Sequence, residues 1–259
     1  MTMSPAEIEE LRTAKLLLEH PGLAARISNL VGSPIERGFA MLPKRWNQVV
    51  NDATRKSIEK ALDVALWTLD DSQPQSPSNW WHKLAVGTTG AAGGAFGLPA
   101  LTLELPVSTT IMLRSIADIA RSHGENLKLP DARLQCVQVL GLGGTSKSDD
   151  GAETGYFAAR AAMAKAVSDA AAYMARKGLL EKGAPAIVQL ITQVASRFSI
   201  VVSQKAAAQA VPVVGAVGGA IINTIFIDHF QDMGKGHFTV RRLERIHGPA
   251  KIERIYREL

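Results

Sequence analysis

The residues best able to do chemistry fall into two groups. Along an otherwise apolar segment after Pro99, Glu104, Ser108, Ser115, Asp118 and Ser122 recur at helical spacing, with Arg114 four residues before Asp118. Pro106 removes the backbone donor that the Thr102 carbonyl would otherwise receive. A carboxylate beside such a break in apolar surroundings is costly unless it is paired. Glu104 therefore reads either as a raised-pKa carboxyl at a polar-ligand site or as half of an ion pair, with Arg114 the cation for it or for Asp118.

The second group surrounds Gly234-Lys235-Gly236, which reads as a sharp turn. Asp228, His229 and Asp232 precede it on the last turns of one helix, and His237 opens the next, with Arg241 and Arg242 a turn on. Free N–H groups at that helix start, with Lys235, His237, Arg241 and Arg242, would suit the phosphate of a lipid headgroup, a nucleotide or a phosphometabolite, and Arg114 is a further candidate for such a group. A metal reading would use His229, Asp232 and His237, without a strict ligand motif to support it. A plain surface network of ion pairs is the alternative. The stretch Gly141 to Ser148 is no phosphate loop, because Ser146 stands where the second glycine belongs. No nucleophile elbow is present, and no cofactor is implied.

Two uncharged stretches must position these groups. Leu84 to Leu103 contains Gly90-Ala91-Ala92-Gly93-Gly94-Ala95, and Ala206 to Ile227 contains Gly215-Ala216-Val217-Gly218-Gly219-Ala220. Each is long enough to cross a bilayer core as a helix. Each glycine costs a helix about 1 kcal/mol relative to alanine, so close packing must offset several of them. Gly90 with Gly94, Gly93 with Gly97, and Gly215 with Gly219 give the four-residue spacing that lets backbones approach. A buried helix pair and insertion at a membrane both fit; Pro99, Pro106, Pro212 and Asn223 argue against full spanning. Trp80 and Trp81 then act as interface anchors or as core, and Phe96 and Gly97 line an apolar groove.

The remaining sequence predicts helices throughout. Ser4-Pro5-Ala6-Glu7 is a capping box with proline in the first turn, and Pro21-Gly22 stops that helix. Leu23 to Val31 is a short amphipathic piece, and Pro43 opens a long helix to Leu69. Asp70 to Asn79, with two prolines and three serines, reads as a linker, dividing an N-terminal helical arm (residues 1–79) from a core (residues 80–259). Pro99 and Pro106 interrupt the next region before a helix to about His123. Further helices start at Pro130, cover Glu153 to Arg176 and Ala186 to Lys205, and close the chain as His237 to His247 and Pro249 to Leu259. The expected fold is all-α, a multi-helix bundle around two glycine-rich central helices.

Three blocks resemble the EcsC family of bacterial proteins. They are Gly93 to Leu127, with Gly97-Leu98-Pro99-Ala100 and Glu104-Leu105-Pro106; Arg133 to Gly144; and Pro212 to Arg245, with His229-Phe230 and Gly236-His237-Phe238. Asn126 departs from the aspartate expected there. The resemblance implies an all-helical cytoplasmic protein, in a family named from a genetic neighbourhood with an ABC transporter.

Of 259 residues, 46% are hydrophobic, only 5% aromatic and 20% charged, with a net charge of +5. Alanine and leucine supply the bulk, which favours helices over sheets. The one cysteine, Cys136, excludes an intrachain disulfide and suits a reducing compartment. The opening residues lack a signal-peptide core, so the chain is expected in the cytoplasm, peripheral on the inner membrane face. The mild basicity suits an anionic surface, but nothing supports nucleic-acid binding. The expected function is lipid-headgroup or apolar-ligand binding at a membrane. The rivals are a lipid or apolar-ester hydrolase using Glu104, Asp118, His229 and His237, and a scaffold for an integral membrane partner such as a transporter.

Overall fold

The computed structural model describes residues 3–19, 23–31, 35–68, 98–143, 155–177, 184–210 and 215–259. Among them the chain forms helices and no strand. In order these are α1 (Pro5–Glu19), α2 (Leu23–Val31), α3 (Ile35–Met41), α4 (Trp46–Thr68), α5 (Leu98–Ser122), α6 (Pro130–Leu142), α7 (Gly155–Lys177), α8 (Pro185–Ala210), α9 (Gly215–His247) and α10 (Pro249–Glu258).

Local signals set many of the ends. The Ser4 N–H donates to the Glu7 carboxylate at 2.7 Å, and the Glu7 N–H returns to Ser4 Oγ at 3.2 Å, a reciprocal cap. Proline opens α6, α8 and α10. Gly124 and Gly248, both at positive φ, follow the ends of α5 and α9.

The core is centred on α6, buried on every side from Leu134 to Leu142. Helices α5, α7, α8 and α9 pack around it, α4 lies on α5 and α8, and α1 runs along α9. Phe198 on α8 meets Phe226 and Phe230 on α9 with ring centroids 6.0 and 5.2 Å apart. Full burial of side chains of this size contributes roughly 1.5–3 kcal/mol each. Leu11, Ile27, Val50 and Ile58 from the N-terminal helices join the same hydrophobic cluster.

Three expectations are corrected. Gly234-Lys235-Gly236 is not a turn; α9 runs through it unbroken to His247. The reason is packing. A Cβ on Gly236 would lie 2.6 Å from the Leu18 side chain and 3.0 Å from the Ala14 carbonyl, so the glycine lets α1 approach. Pro106 does not interrupt its helix but lies inside α5. Its hydroxyl neighbours bond back to the chain there, Thr110 Oγ1 to the Pro106 carbonyl at 2.8 Å and Ser108 Oγ to the Leu105 carbonyl at 3.1 Å. The second uncharged stretch, Ala206 to Ile227, covers the end of α8 and the start of α9; residues 211–214, Pro212 among them, lie outside the described residues. Finally, α3 was not anticipated. The linker, Trp80, Trp81, Gly90, Gly94, Phe96, Gly97 and the first glycine hexapeptide lie outside the described residues.

Candidate functional site

The polar cluster with the most unusual surroundings joins α5, α8 and α9. Lys205, on α8, is fully buried. Its Nζ donates to Glu104 Oε1 on α5 at 2.6 Å and to Asn223 Oδ1 on α9 at 2.8 Å. It also lies over the Phe226 ring, 4.6 Å from the centroid. Asn223 and Phe226 are three residues apart on one face of α9. The two oxygens and the ring face thus take up the three donors of the ammonium. Burial pushes Lys205 below the usual lysine value, and the Glu104 carboxylate opposes that shift.

This pair stands alone in its region of sequence. Leu84 to Leu113 carries one charge, Glu104, and Phe198 to Ile227 carries one, Lys205. The fold brings these two charges together as one ion pair. Around it Leu103, Val107 and Ile221 are exposed by 74%, 41% and 41%. Glu104 was singled out from sequence, but its cation is Lys205 rather than Arg114, and Asp118 receives Arg121 at 2.7 Å. Lys205 was missed because it borders an uncharged stretch. The sign that could have found it is complementarity between two solitary charges.

The residues of the second group separate. His237 is buried in mid-helix, so it cannot open a helix or meet a headgroup. Gln135 Nε2 donates to Asp131 at 3.3 Å, which turns its Oε1 towards His237 Nε2 at 3.2 Å. His237 Nε2 therefore carries the proton and Nδ1 accepts from the Tyr156 hydroxyl at 2.9 Å. Burial pushes His237 well below its ordinary value, and Arg160 and Arg241 add to that. Arg160 is itself held bidentately by Glu244, at 2.7 Å on both oxygens. The site is a packed neutral histidine within a polar network.

The expected phosphate cations are engaged. Lys235 pairs with Asp232 at 3.4 Å, Arg241 with Glu125 at 2.8 Å and Asp131 at 3.2 Å, and Arg242 with Glu10. Burial pushes the Glu125 carboxyl up, but Arg241 and Arg245 outweigh it and hold the group below the usual range. His229 donates from Nε2 to the Gly143 carbonyl at 3.2 Å, and Asp232 receives Arg26 at 3.2 Å. Among the described residues no group of three His, Cys, Asp or Glu side chains is placed to hold a metal ion, which corrects the His229, Asp232, His237 reading.

Nor do the acid–base candidates converge. Asn223, beside Glu104, and His237 lie fourteen residues apart on α9, which is about 21 Å along the axis. A shallow groove between α1 and α9, lined by Glu9, Glu10, Thr13, His123, Thr239 and Arg242, includes neither group. Cys136 is buried and bonded to the Ala132 carbonyl, and burial raises its thiol to about 12, so it is inert.

One helix among the described residues, α8, is long and apolar enough to cross a membrane by length and composition. It carries Arg197 and Lys205, both buried, and packs on α3, α4, α6 and α7. Arg197 donates to the Gly141 carbonyl at 2.9 Å, a favourable place for a cation at the end of α6.

The fold and the site define an all-α multi-helix bundle with a buried ion pair at an apolar end. The chain belongs to the EcsC protein family, whose family model matches residues 6–243, from α1 to near the end of α9. No curated protein and no solved structure matches the chain.

Proposed function

We propose that this protein is a peripheral membrane protein that seats the α5–α8–α9 end of its bundle in the boundary between lipid headgroups and acyl chains. The observation that carries this reading is the Lys205–Glu104 pair. Unpaired charge near the bilayer interior costs roughly 3 kcal/mol or more, and ionisable residues there pair with one another. Two apolar segments with one charge each, bonded at 2.6 Å, meet that requirement. Exposed Leu103, Val107 and Ile221 supply the apolar surface, which gains stability on leaving water.

Vesicle co-sedimentation tests it. The wild-type chain should pellet with phosphatidylcholine–phosphatidylglycerol vesicles and keep part of that binding at moderate salt. The Leu103→Glu, Ile221→Glu double variant should stay in the supernatant. Wild-type recovery in the pellet that is the same with and without vesicles would count decisively against the proposal.

A further inference from the structure

Resting on that membrane reading, we infer that the corner between α3 and α4 is the surface that meets anionic phospholipid headgroups, through Arg37, Lys44 and Arg45. The expected cations of α9 are already spent on carboxylates. Arg37, Lys44 and Arg45 differ from them. All three are exposed, and among the described residues none is bonded to an acid. From Gly32 to Asn51 the only acidic residue is Glu36, so this corner keeps a net positive charge.

Three features fit the corner to a lipid interface rather than to water alone. Met41 is 55% exposed between the cations. Phe39 and Trp46 hold the corner together with ring centroids 5.4 Å apart, and tryptophan is suited to headgroup depth. The turn is fixed by the Trp46 N–H donating to the Pro43 carbonyl at 2.9 Å, which sets Lys44 and Arg45 in place.

The corner also lies at the right height. A Cβ on Gly38 would fall 1.9 Å from the Ala207 carbonyl, so α3 rests directly on α8 at that residue. Ala207 is two residues beyond Lys205, about 3 Å along the helix. Arg37, next to Gly38, thus lies near the level of the neutral ion pair, and the turn carrying Lys44 and Arg45 follows directly from α3. This is where headgroup phosphates would lie if that end were seated in lipid.

The test compares three proteins on vesicles of phosphatidylcholine alone and with phosphatidylglycerol, at low and moderate salt. The Arg37→Gln, Lys44→Gln, Arg45→Gln variant should bind anionic vesicles about tenfold or more weakly than wild type, since each basic residue near such a surface contributes substantially. A Lys235→Gln, Arg242→Gln variant should bind like wild type. If wild type binds and the triple variant binds equally, the corner is refuted while the membrane reading stands. If wild type binds neither vesicle, the membrane reading fails first and takes this inference with it. A second measurement does not depend on the triple variant folding. With Cys136 buried, a Met41→Cys variant accepts an environment-sensitive fluorophore at one site. Its emission should shift to shorter wavelength when anionic vesicles are added. An unchanged spectrum on protein that has pelleted with the vesicles would overturn the inference.

Discussion

At Lys205 the cost of burying a charge is met by three neighbours, and the cost returns when one is taken away. Glu104→Leu leaves the buried ammonium with one oxygen partner and should destabilise the fold by roughly 3 kcal/mol. Lys205→Met leaves a carboxylate that is 19% exposed, so its cost should be smaller. The double variant should recover to within about 1 kcal/mol of wild type in urea unfolding. Additive losses would show that the two side chains do not act as a pair. His229 gives a pH dependence of definite sign. Burial first, with Arg26 adding, pushes it from 6.5 down to about 4, against Gly143 and Asp232. Below pH 6.5 the unfolded chain takes up a proton that the folded one refuses. Stability should therefore fall as pH drops from about 6.5 towards 4, by about 3 kcal/mol from this residue. His229→Gln keeps an N–H for the Gly143 carbonyl but cannot titrate. It should show a shallower loss of melting temperature between pH 7 and 4.5, the remaining slope including His237, which burial also holds well below its ordinary value. Identical slopes in the two proteins would refute the assignment.

The helices follow their sequence where the signal is local and depart from it where a neighbour decides. The capping box at Ser4 and the proline starts at Pro130 and Pro249 were legible because bonding within one turn fixes them. Gly234 and Gly236 were misread as a turn. Glycine weakens a helix in isolation, but α1 packed on α9 requires a residue without Cβ at position 236. This predicts opposite effects two residues apart. Gly236→Ala should lower the melting temperature, since the added carbon would meet Leu18 at 2.6 Å and the Ala14 carbonyl at 3.0 Å. Gly234→Ala meets only Ile116 and Ile119, no closer than 3.6 Å, and should raise stability by up to about 1 kcal/mol. Equal signs for the two would contradict the packing account. Pro106 was misread for a similar reason. One missing donor does not end a helix that α4, α6 and α9 hold in place. At seven residues, α3 is too short for periodicity to reveal, and Gly38 signals a close approach rather than a helix.

For the whole molecule, the all-α fold was legible in its alanine-rich, aromatic-poor composition and in the spacing of apolar residues. The candidate site was half legible. Glu104 stood out as an acid in apolar sequence, but its partner lies 101 residues away, and only the packing of α5 on α8 and α9 discloses it. The group around His237 looked like a surface site because a turn was expected there, and an unbroken α9 buries it instead. What emerges is a polarised bundle. One end exposes Leu103, Val107 and Ile221 around a neutral pair, and the other ties Arg241 and Arg245 to Glu125 and Arg160 to Glu244. The most direct test of this polarity places a spin label at Leu103→Cys and, separately, at Glu253→Cys, and compares collisions with oxygen and with a water-soluble relaxant in the presence of anionic vesicles. The account predicts that the label at 103 gains oxygen contact and loses contact with the aqueous relaxant, while the label at 253 stays in water. A label at 103 that remains as accessible to the aqueous relaxant with vesicles as without them would contradict it.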